Sequence, residues 1–259
     1  MAFQHFGVFL NLMYLSQAQS LSKKTLIVSS MSSRMPEFVY EGTEVLENLK
    51  EAKNYNESLR ELVVRNSIKG RTLDFGAGIG TFSEMLKPDL DPECLEVDEA
   101  QANQLERNGF RVYRKLDFKE GFDFIYSLNV LEHIEDDHNI SKNLVKSLKS
   151  GGRLLIFVPA FNFLYSDLDE KVGHYRRYRI EMLKALFKDQ SVIIRKISYF
   201  DTIGFIFAMI FKILGLKTGA VNKRNITIFD KFFYPLNLVL DPLFSKFIGK
   251  NAYIIIEKK

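Results

Sequence analysis

The run Leu73-Asp74-Phe75-Gly76-Ala77-Gly78-Ile79-Gly80 decides how the rest of the chain is read. A short apolar stretch, Thr72 to Phe75, stops at three glycines in five residues and resumes as helix-like sequence to Leu86. That is the order strand, tight turn, helix. Glycines at 76, 78 and 80 let the backbone turn sharply and let a ligand approach the main chain with no Cβ in the way. A dinucleotide fingerprint needs G-x-G-x-x-G, and the sixth position counted from Gly76 is Thr81, so the spacing weakens a nicotinamide reading.

Outward from this turn the same alternation repeats. Upstream, Val45, Leu46, Leu49, Ala52, Leu59, Leu62 and Val63 recur at threes and fours, a covering helix with Thr43 placed to cap it. Downstream, strands are expected at Cys94–Val97, Arg111–Leu116, Phe124–Asn129, Leu154–Val158, Val192–Ser198 and Ala252–Glu257, with helices at Ala100–Asn108, Asn139–Leu148 and Ile180–Phe187. Strands alternating with helices imply right-handed crossovers, a mostly parallel seven-stranded sheet and helices on both faces. Ligands of such sheets sit at the carboxyl ends of the strands, near the point where strand order reverses.

The carboxylates around the glycine turn suggest which ligand. S-adenosylmethionine (SAM) carries a sulfonium and an ammonium and no phosphate, so its pocket favours acids over a bare helix dipole. Asp74 supplies one acid, and Glu96 and Asp98 lie on one side of the next strand's end by its two-residue period. An ionised carboxylate there can accept both ribose hydroxyls, although Asp98 can equally begin the helix that follows.

The stretch Leu73 to Phe82 resembles the first motif of class I SAM-dependent methyltransferases. Further stretches agree in order. Asp117-Phe118 resembles the pair that borders adenine, Phe122 to Ile134, with Asn129 inside it, resembles the fourth-strand motif, and Leu148 to Leu154 resembles the turn before strand five. The resemblance runs from about Tyr40 to about Tyr178. It implies a Rossmann-like methyltransferase fold with SAM as cofactor, held by Asp74, Gly76, Gly78, Gly80, Glu96, Asp98, Asp117, Phe118 and Asn129. Of the two acids after strand two, Glu96 matches the family's ribose ligand better by position.

Methyl transfer from a sulfonium asks the protein to align an acceptor and sometimes to remove its proton. Pro159 to Arg179, just past a strand's carboxyl end, holds a dense polar and aromatic set, and Gly173 to Tyr178 resembles the Gly-His-x-Arg-Arg-Tyr stretch of one methyltransferase branch. His174 is the expected general base or acceptor-orienting group, since imidazole titrates near neutrality. Tyr165, Arg176, Arg177 and Tyr178 are the expected substrate contacts, although the two arginines can equally hold the loop to nearby carboxylates. His133 and His138 stand beside Glu132, Glu135, Asp136 and Asp137, but no metal-ligand spacing is recognisable, so no metal is expected. Asp136 or Asp137 is a natural cap for the next helix.

Residues 201–250, rich in Phe, Ile and Leu, make an insert before the last strand that is longer than the family's usual connection, and we expect it to be helical. Thr202 to Phe211 is an uncharged run of about ten residues, too short to span a bilayer but suited to a buried or interfacial helix. Lys212, Lys217, Lys223, Arg224, Lys231, Lys246 and Lys250 face Asp201, Asp230 and Asp241, seven minus three giving a local excess of four positive charges. Either these helices roof the acceptor pocket, or they also dock on an anionic membrane and admit a lipid-linked acceptor.

Bulk composition narrows the partners. In 259 residues, 46% apolar and 26% charged, one well-buried domain is the default. A net charge of +4 is far from a phosphate-neutralising patch, so nucleic acid is not an expected partner. Cys94 is the only cysteine, which rules out an intrachain disulfide and fits a cytoplasmic setting, peripheral to the membrane if the insert docks there. Residues 1–35 read as a leader or poorly ordered extension, with no basic residues before the apolar Phe6 to Leu15, and 36–259 as the catalytic domain. The expected activity is SAM-dependent methylation of a small-molecule, glycan-like or lipid-like acceptor, with oxygen favoured as nucleophile. The alternative is a protein of the same fold that binds a membrane or partner through the insert without turnover.

Overall fold

Helix α1 (Lys53–Asn66) leads into strand β1 (Thr72–Phe75), the glycine turn and helix α2 (Thr81–Leu90) in the computed structural model, which describes residues 50–215 and 223–259. There follow β2 (Glu93–Leu95), α3 (Glu99–Arg107), β3 (Val112–Tyr113), β4 (Phe122–Leu128), α4 (Asp137–Ser147), β5 (Leu148–Pro159), α5 (Asp167–Lys171), α6 (Ile180–Ala185) and β6 (Val192–Phe200). Helices α7 (Thr202–Ile213), α8 (Lys223–Ile228) and α9 (Asn237–Phe244), with a π turn at Phe229–Phe233, then precede β7 (Asn251–Lys258). The leader expected at 1–35 and the cap at Thr43 lie outside the described residues.

The strands form one seven-stranded sheet in the order β3-β2-β1-β4-β5-β7-β6. All neighbours run parallel except β7, which is antiparallel to both β5 and β6. Side chains of the central strands alternate between two cores, as a period of two requires. Phe124, Tyr126, Leu155, Phe157, Tyr253 and Ile255 pack with Leu59 and Val63 of α1 and Leu86 of α2. Ile125, Leu154, Ile156, Ile254 and Ile256 face the other way, toward Leu144 and Val145 of α4 and Leu183 of α6. Helices therefore cover both faces.

Two element boundaries depart from expectation for physical reasons. Strand β3 is only two residues long, because Arg114 leaves the sheet edge to pair with Glu99 and Glu106 of α3. Strand β5 starts earlier than expected, at Leu148, which pairs with Phe122. The glycine pair read as a turn is a bulge within it. Gly151 takes φ +76°, the register shifts between Phe122 and Phe124, and a Cβ on Gly152 would lie 2.8 Å from the Lys149 carbonyl oxygen.

Strand direction fixes where residues 201–250 lie. Phe200, the last residue of β6, pairs with Asn251, the first of β7, which in turn pairs with Pro159 at the end of β5. The segment thus leaves and re-enters the sheet at the carboxyl edge, the ligand-binding edge of such folds. Its first helix is secured by side chains, because the opening N–H groups of a helix have no partner inside it. Asp241 accepts from Thr202 N (2.8 Å), Asn237 Oδ1 from Ile203 N (2.8 Å) and Asp201 Oδ1 from Gly204 N (2.8 Å). Asn237 Nδ2 also donates to Asp201 Oδ1 at 2.8 Å, which locks α9 to the start of α7. Replacing Asn237 with Ala strands the buried Ile203 N–H and removes one of the two donors to Asp201 Oδ1, and should lower stability by about 2–3 kcal/mol. Urea unfolding checks this, and an unchanged midpoint would show that the network is not what holds the segment.

Candidate active site

The glycine turn rests against the neighbouring strands. Gly76, Gly78 and Gly80 all have positive φ (80°, 57° and 84°). A Cβ on Gly76 would lie 2.4 Å from Cγ2 of Val130, so the position needs glycine for space as well as for conformation. The Gly76 and Ala77 amides donate to the Leu95 carbonyl at 2.9 and 3.1 Å, joining the turn to the end of β2. Glu96 closes it from the other side. Its Oε2 accepts from Gly78 N (2.7 Å), and its Oε1 accepts from Val97 N (2.8 Å) and Asp98 N (2.9 Å).

Asp74 is buried beneath the turn and accepts a hydrogen bond from Ser83 Oγ at 2.6 Å. Burial pushes its carboxyl up to about 7, against the opposing pull of that hydroxyl. Ser83 in turn lies 3.3 Å from Sγ of Cys94, whose thiol burial raises to about 12. The lone cysteine is thus a core residue.

The second half of the site follows β4. Asn129 takes φ +56°, and its amide donates to Phe157 O at 2.8 Å, after which Leu131–His133 wind into one 3-10 turn. The turn drives Glu132 inward, where it is fully buried and neither carboxylate oxygen meets a hydrogen-bond donor. Burial raises its carboxyl to about 8. His133 is pushed down to about 4 by burial and then by the neighbouring His174, and the two rings meet edge to face with centroids 4.5 Å apart.

His174 arrives from the loop after α5. Its Nδ1 is 2.7 Å from Asp169 Oδ1, and its Nε2 is 3.8 Å from Glu132 Oε1. Asp169 also accepts two bonds from Arg177 (2.8 and 2.9 Å) and two from Ser166 (2.9 Å each). Burial alone would raise the Asp169 carboxyl, but the donors from His174 and Arg177 outweigh it and hold the group well below the usual carboxylate range. An ionised Asp169 fixes the proton of neutral His174 on Nδ1 and leaves Nε2 with its lone pair toward the cavity.

The loop is clamped to the turn by main-chain and side-chain bonds. Tyr175 N donates to Glu132 O at 2.7 Å, and Tyr165 OH donates to His174 O at 2.6 Å. Arg176 and the buried Tyr178 hydroxyl both donate to Asp137 Oδ2 at 2.8 Å, so these two residues hold the loop down. Asp136, not Asp137, caps α4, through Asn139 N at 3.1 Å.

One cavity of about 1150 Å³ joins these parts. Of the residues singled out by sequence, its wall takes Asp74, Gly76, Gly78, Glu96, Asn129, Tyr165, His174 and Arg177. The others stand outside it. Gly80 begins α2, Asp98 caps α3 through Gln101 N at 3.0 Å, Asp117 is solvent-exposed, Phe118 packs between Tyr113 and Phe122, and Arg176 and Tyr178 hold Asp137. Sequence reading passed over Glu132 and His133, whose place in a run of acids resembled a solvated face. The far wall comes from the segment that the sequence offered as a roof, where α7 and the π turn contribute Phe207, Phe211, Phe229 and Phe233.

The site's features fit SAM. The turn leaves no room for a Cβ at Gly76, one acid lies beneath it, and a second stands at the end of β2. Comparison with known proteins agrees. The methyltransferase domain family matches residues 46–201. No curated protein sequence matches the chain. A SAM-dependent methyltransferase from Thermotoga maritima is 17% identical, with a TM-score of 0.56 over 85% of this chain and 96% of its own. One from Archaeoglobus fulgidus is 18% identical, with a TM-score of 0.56 over 83% and 99%. The geranyl diphosphate C-methyltransferase of Streptomyces coelicolor A3(2), solved with Mg2+, geranyl diphosphate and S-adenosylhomocysteine, is 15% identical, with a TM-score of 0.51 over 77% and 76%. The chain belongs to the methyltransferase domain family, and it is an enzyme whose methyl donor is SAM.

Proposed function

We propose that this enzyme methylates a hydrophobic or lipid-linked small molecule, glycan-like at its reacting end, on an oxygen atom. The observation that carries the reading is the single cavity that runs from the glycine turn past Glu132 and His174 to the aromatic wall of α7 and the π turn. Its volume exceeds the roughly 300–1,000 Å³ typical of one drug-sized ligand, which leaves room for donor and acceptor together. When bound, SAM supplies an electrophilic methyl group on a positively charged sulfur. We assign Glu96 to the ribose hydroxyls, the backbone of Gly76 and Gly78 to close approach, and Asp74 to the cationic end. At the acceptor end His174, fixed through Asp169, orients the acceptor or holds its proton, with Tyr165 beside it and Arg177 keeping Asp169 ionised. Arg176 and Tyr178 act one step away, by holding the loop. On the resemblance of Gly173 to Tyr178 we also assign the chain to the methyltransferase branch with a Gly-His-x-Arg-Arg-Tyr stretch.

A membrane-peripheral setting draws support from the exposed side of the same segment, on and beside α9. Leu236, Leu238, Val239, Leu243, Phe244 and Phe247 are exposed, Leu238 at 79% and Phe247 at 71%. Large apolar patches of this kind mark interaction surfaces. Asp201 and Asp230 are buried as partners of backbone amides, while Lys212, Lys223, Lys231 and Lys246 are exposed, so the exposed charge of the segment is mainly positive. No helix among the described residues is long and apolar enough to cross a membrane, so the proposed contact is interfacial.

Calorimetry should detect binding of SAM and S-adenosylhomocysteine, and Glu96→Ala should weaken it about 10- to 100-fold with an unchanged circular dichroism spectrum, in line with a lost charge-assisted pair of bonds. Equal affinity in the variant would remove Glu96 from the cofactor site. The cationic donor favours ionised Asp74, so affinity should rise by up to about tenfold per pH unit toward 7, level off above it, and lose this slope in Asp74→Asn. Co-sedimentation with phosphatidylserine vesicles should be lost in the double variant Leu238→Asp, Phe247→Asp, and retention would refute membrane docking. Mass spectrometry of lipid and aqueous extracts incubated with enzyme and isotopically labelled SAM identifies the acceptor. Label confined to a polar, lipid-free product would exclude the lipid-linked class.

A further inference from the structure

Two imidazoles and one carboxylate converge where the turn after β4 meets the loop after α5. One ligand atom from each of Glu132, His133 and His174 lies within 4.8 Å of the others, and all three residues line the cavity. We propose that Glu132, His133 and His174 bind one divalent transition-metal ion of the zinc class at the acceptor end of the cavity. Tetrahedral bonds of about 2.1 Å to zinc set ligand atoms about 3.4 Å apart, so His174 Nε2 and Glu132 Oε1, now 3.8 Å apart, need to close by about 0.4 Å and the widest pair by at most about 1.4 Å. Two nitrogens and one carboxylate oxygen are ligands that suit zinc, cobalt or iron, and three protein ligands leave open positions toward the cavity.

Two further observations point to an ion. Glu132 is fully buried, and neither of its oxygens has a hydrogen-bond donor, although buried carboxylates elsewhere in this chain have them: Asp169 has five and Asp201 two. The nearest basic atom, His174 Nε2, stops at 3.8 Å, short of a hydrogen bond. His174 also has the second-shell partner that metal-binding histidines need, since Asp169 Oδ1 takes Nδ1 at 2.7 Å and presents Nε2 inward. The bond from Tyr175 N to Glu132 O holds the two contributing segments in register.

The metal's role toward an acceptor rests on the proposed function, where an ion on Nε2 would leave His174 to orient the acceptor through the metal and not to hold its proton, but its binding does not. Full-length protein freed of metal with a chelator and titrated with Co2+ should show visible d–d absorption that saturates at one equivalent and is abolished by Zn2+. Glu132→Gln and His174→Ala should each weaken binding at least tenfold, and Asp169→Asn about 10- to 100-fold. His138→Ala, at an exposed position, should change nothing. SAM calorimetry on each variant separates a lost metal site from a lost fold and from failure of the methyltransferase reading. A wild-type protein that binds SAM but shows no saturable Co2+ absorption overturns the proposal. So does Co2+ binding that is indifferent to Glu132→Gln and His174→Ala.

Discussion

The contact between Gly76 and Val130 joins the two halves of this enzyme. Strands β1 and β4 lie side by side, and both chains must leave the sheet at the same level, one into the glycine turn and the other into the turn that carries Glu132. The space a single methyl group would occupy on Gly76 is filled by the Val130 side chain. A larger residue at 76 would push the cofactor turn away from β4 and displace the segment that places Glu132 and His133. On the site assignment proposed above, the donor and acceptor ends of the cavity are set by one steric constraint, and in-line transfer depends on their separation being fixed.

Two acids play the corresponding part for the loop that delivers His174. Asp169 gathers His174, Arg177 and Ser166, while Asp137 gathers Arg176 and the Tyr178 hydroxyl. Both are charge-assisted sets in a poorly solvated place, where such bonds are strong and loss of one partner is costly. The loop is irregular, yet His174 reaches the cavity in one orientation because Tyr175 N is tied to Glu132 O and Arg176 to Glu135 O and Asp137, while Asp169 holds the ring. Rigid support of this kind lets a loop residue act with the accuracy of one on a strand.

The sheet was legible because its signal is local. The glycine turn, the period-two strands and their spacing predict a mostly parallel seven-stranded sheet, and the sheet has seven strands with β7 alone antiparallel to its neighbours. What escaped the sequence was pairing between distant residues. Tyr178 read only as an acceptor contact and Arg176 either as one or as a tie to a nearby carboxylate, and Asp137, on another element, takes both. Glu132 looked like one acid among several on a solvated face, and only the 3-10 turn rotates it away from Glu135 and Asp136 into the interior. His133 and His174 lack a ligand spacing in sequence because the loop brings them together from separate segments. The helices after β6 were hard to bound for a different reason: their apolar residues face both inward and outward, so no clean periodicity marks a buried side.

That double-sided apolarity follows from where the segment sits. Antiparallel entry of β7 brings Asp201 and Lys250 together, with Lys250 N donating to Asp201 O at 3.0 Å, so a long connection closes over the carboxyl edge at little entropic cost. Its inner face then has to complete a cavity whose other walls already supply the charged groups, and Phe207, Phe211, Phe229 and Phe233 do so without burying unpaired polar atoms. A roof meant only to shield the reaction from water would carry polar residues outside. Exposed Leu238, Val239, Leu243 and Phe247 would destabilise such a roof in water, whereas an acceptor that enters from an apolar phase needs a continuous apolar path from that phase to the methyl donor. For the acceptor proposed above, the outer and inner faces answer to the same requirement, and its greasy part would account for the length of the segment.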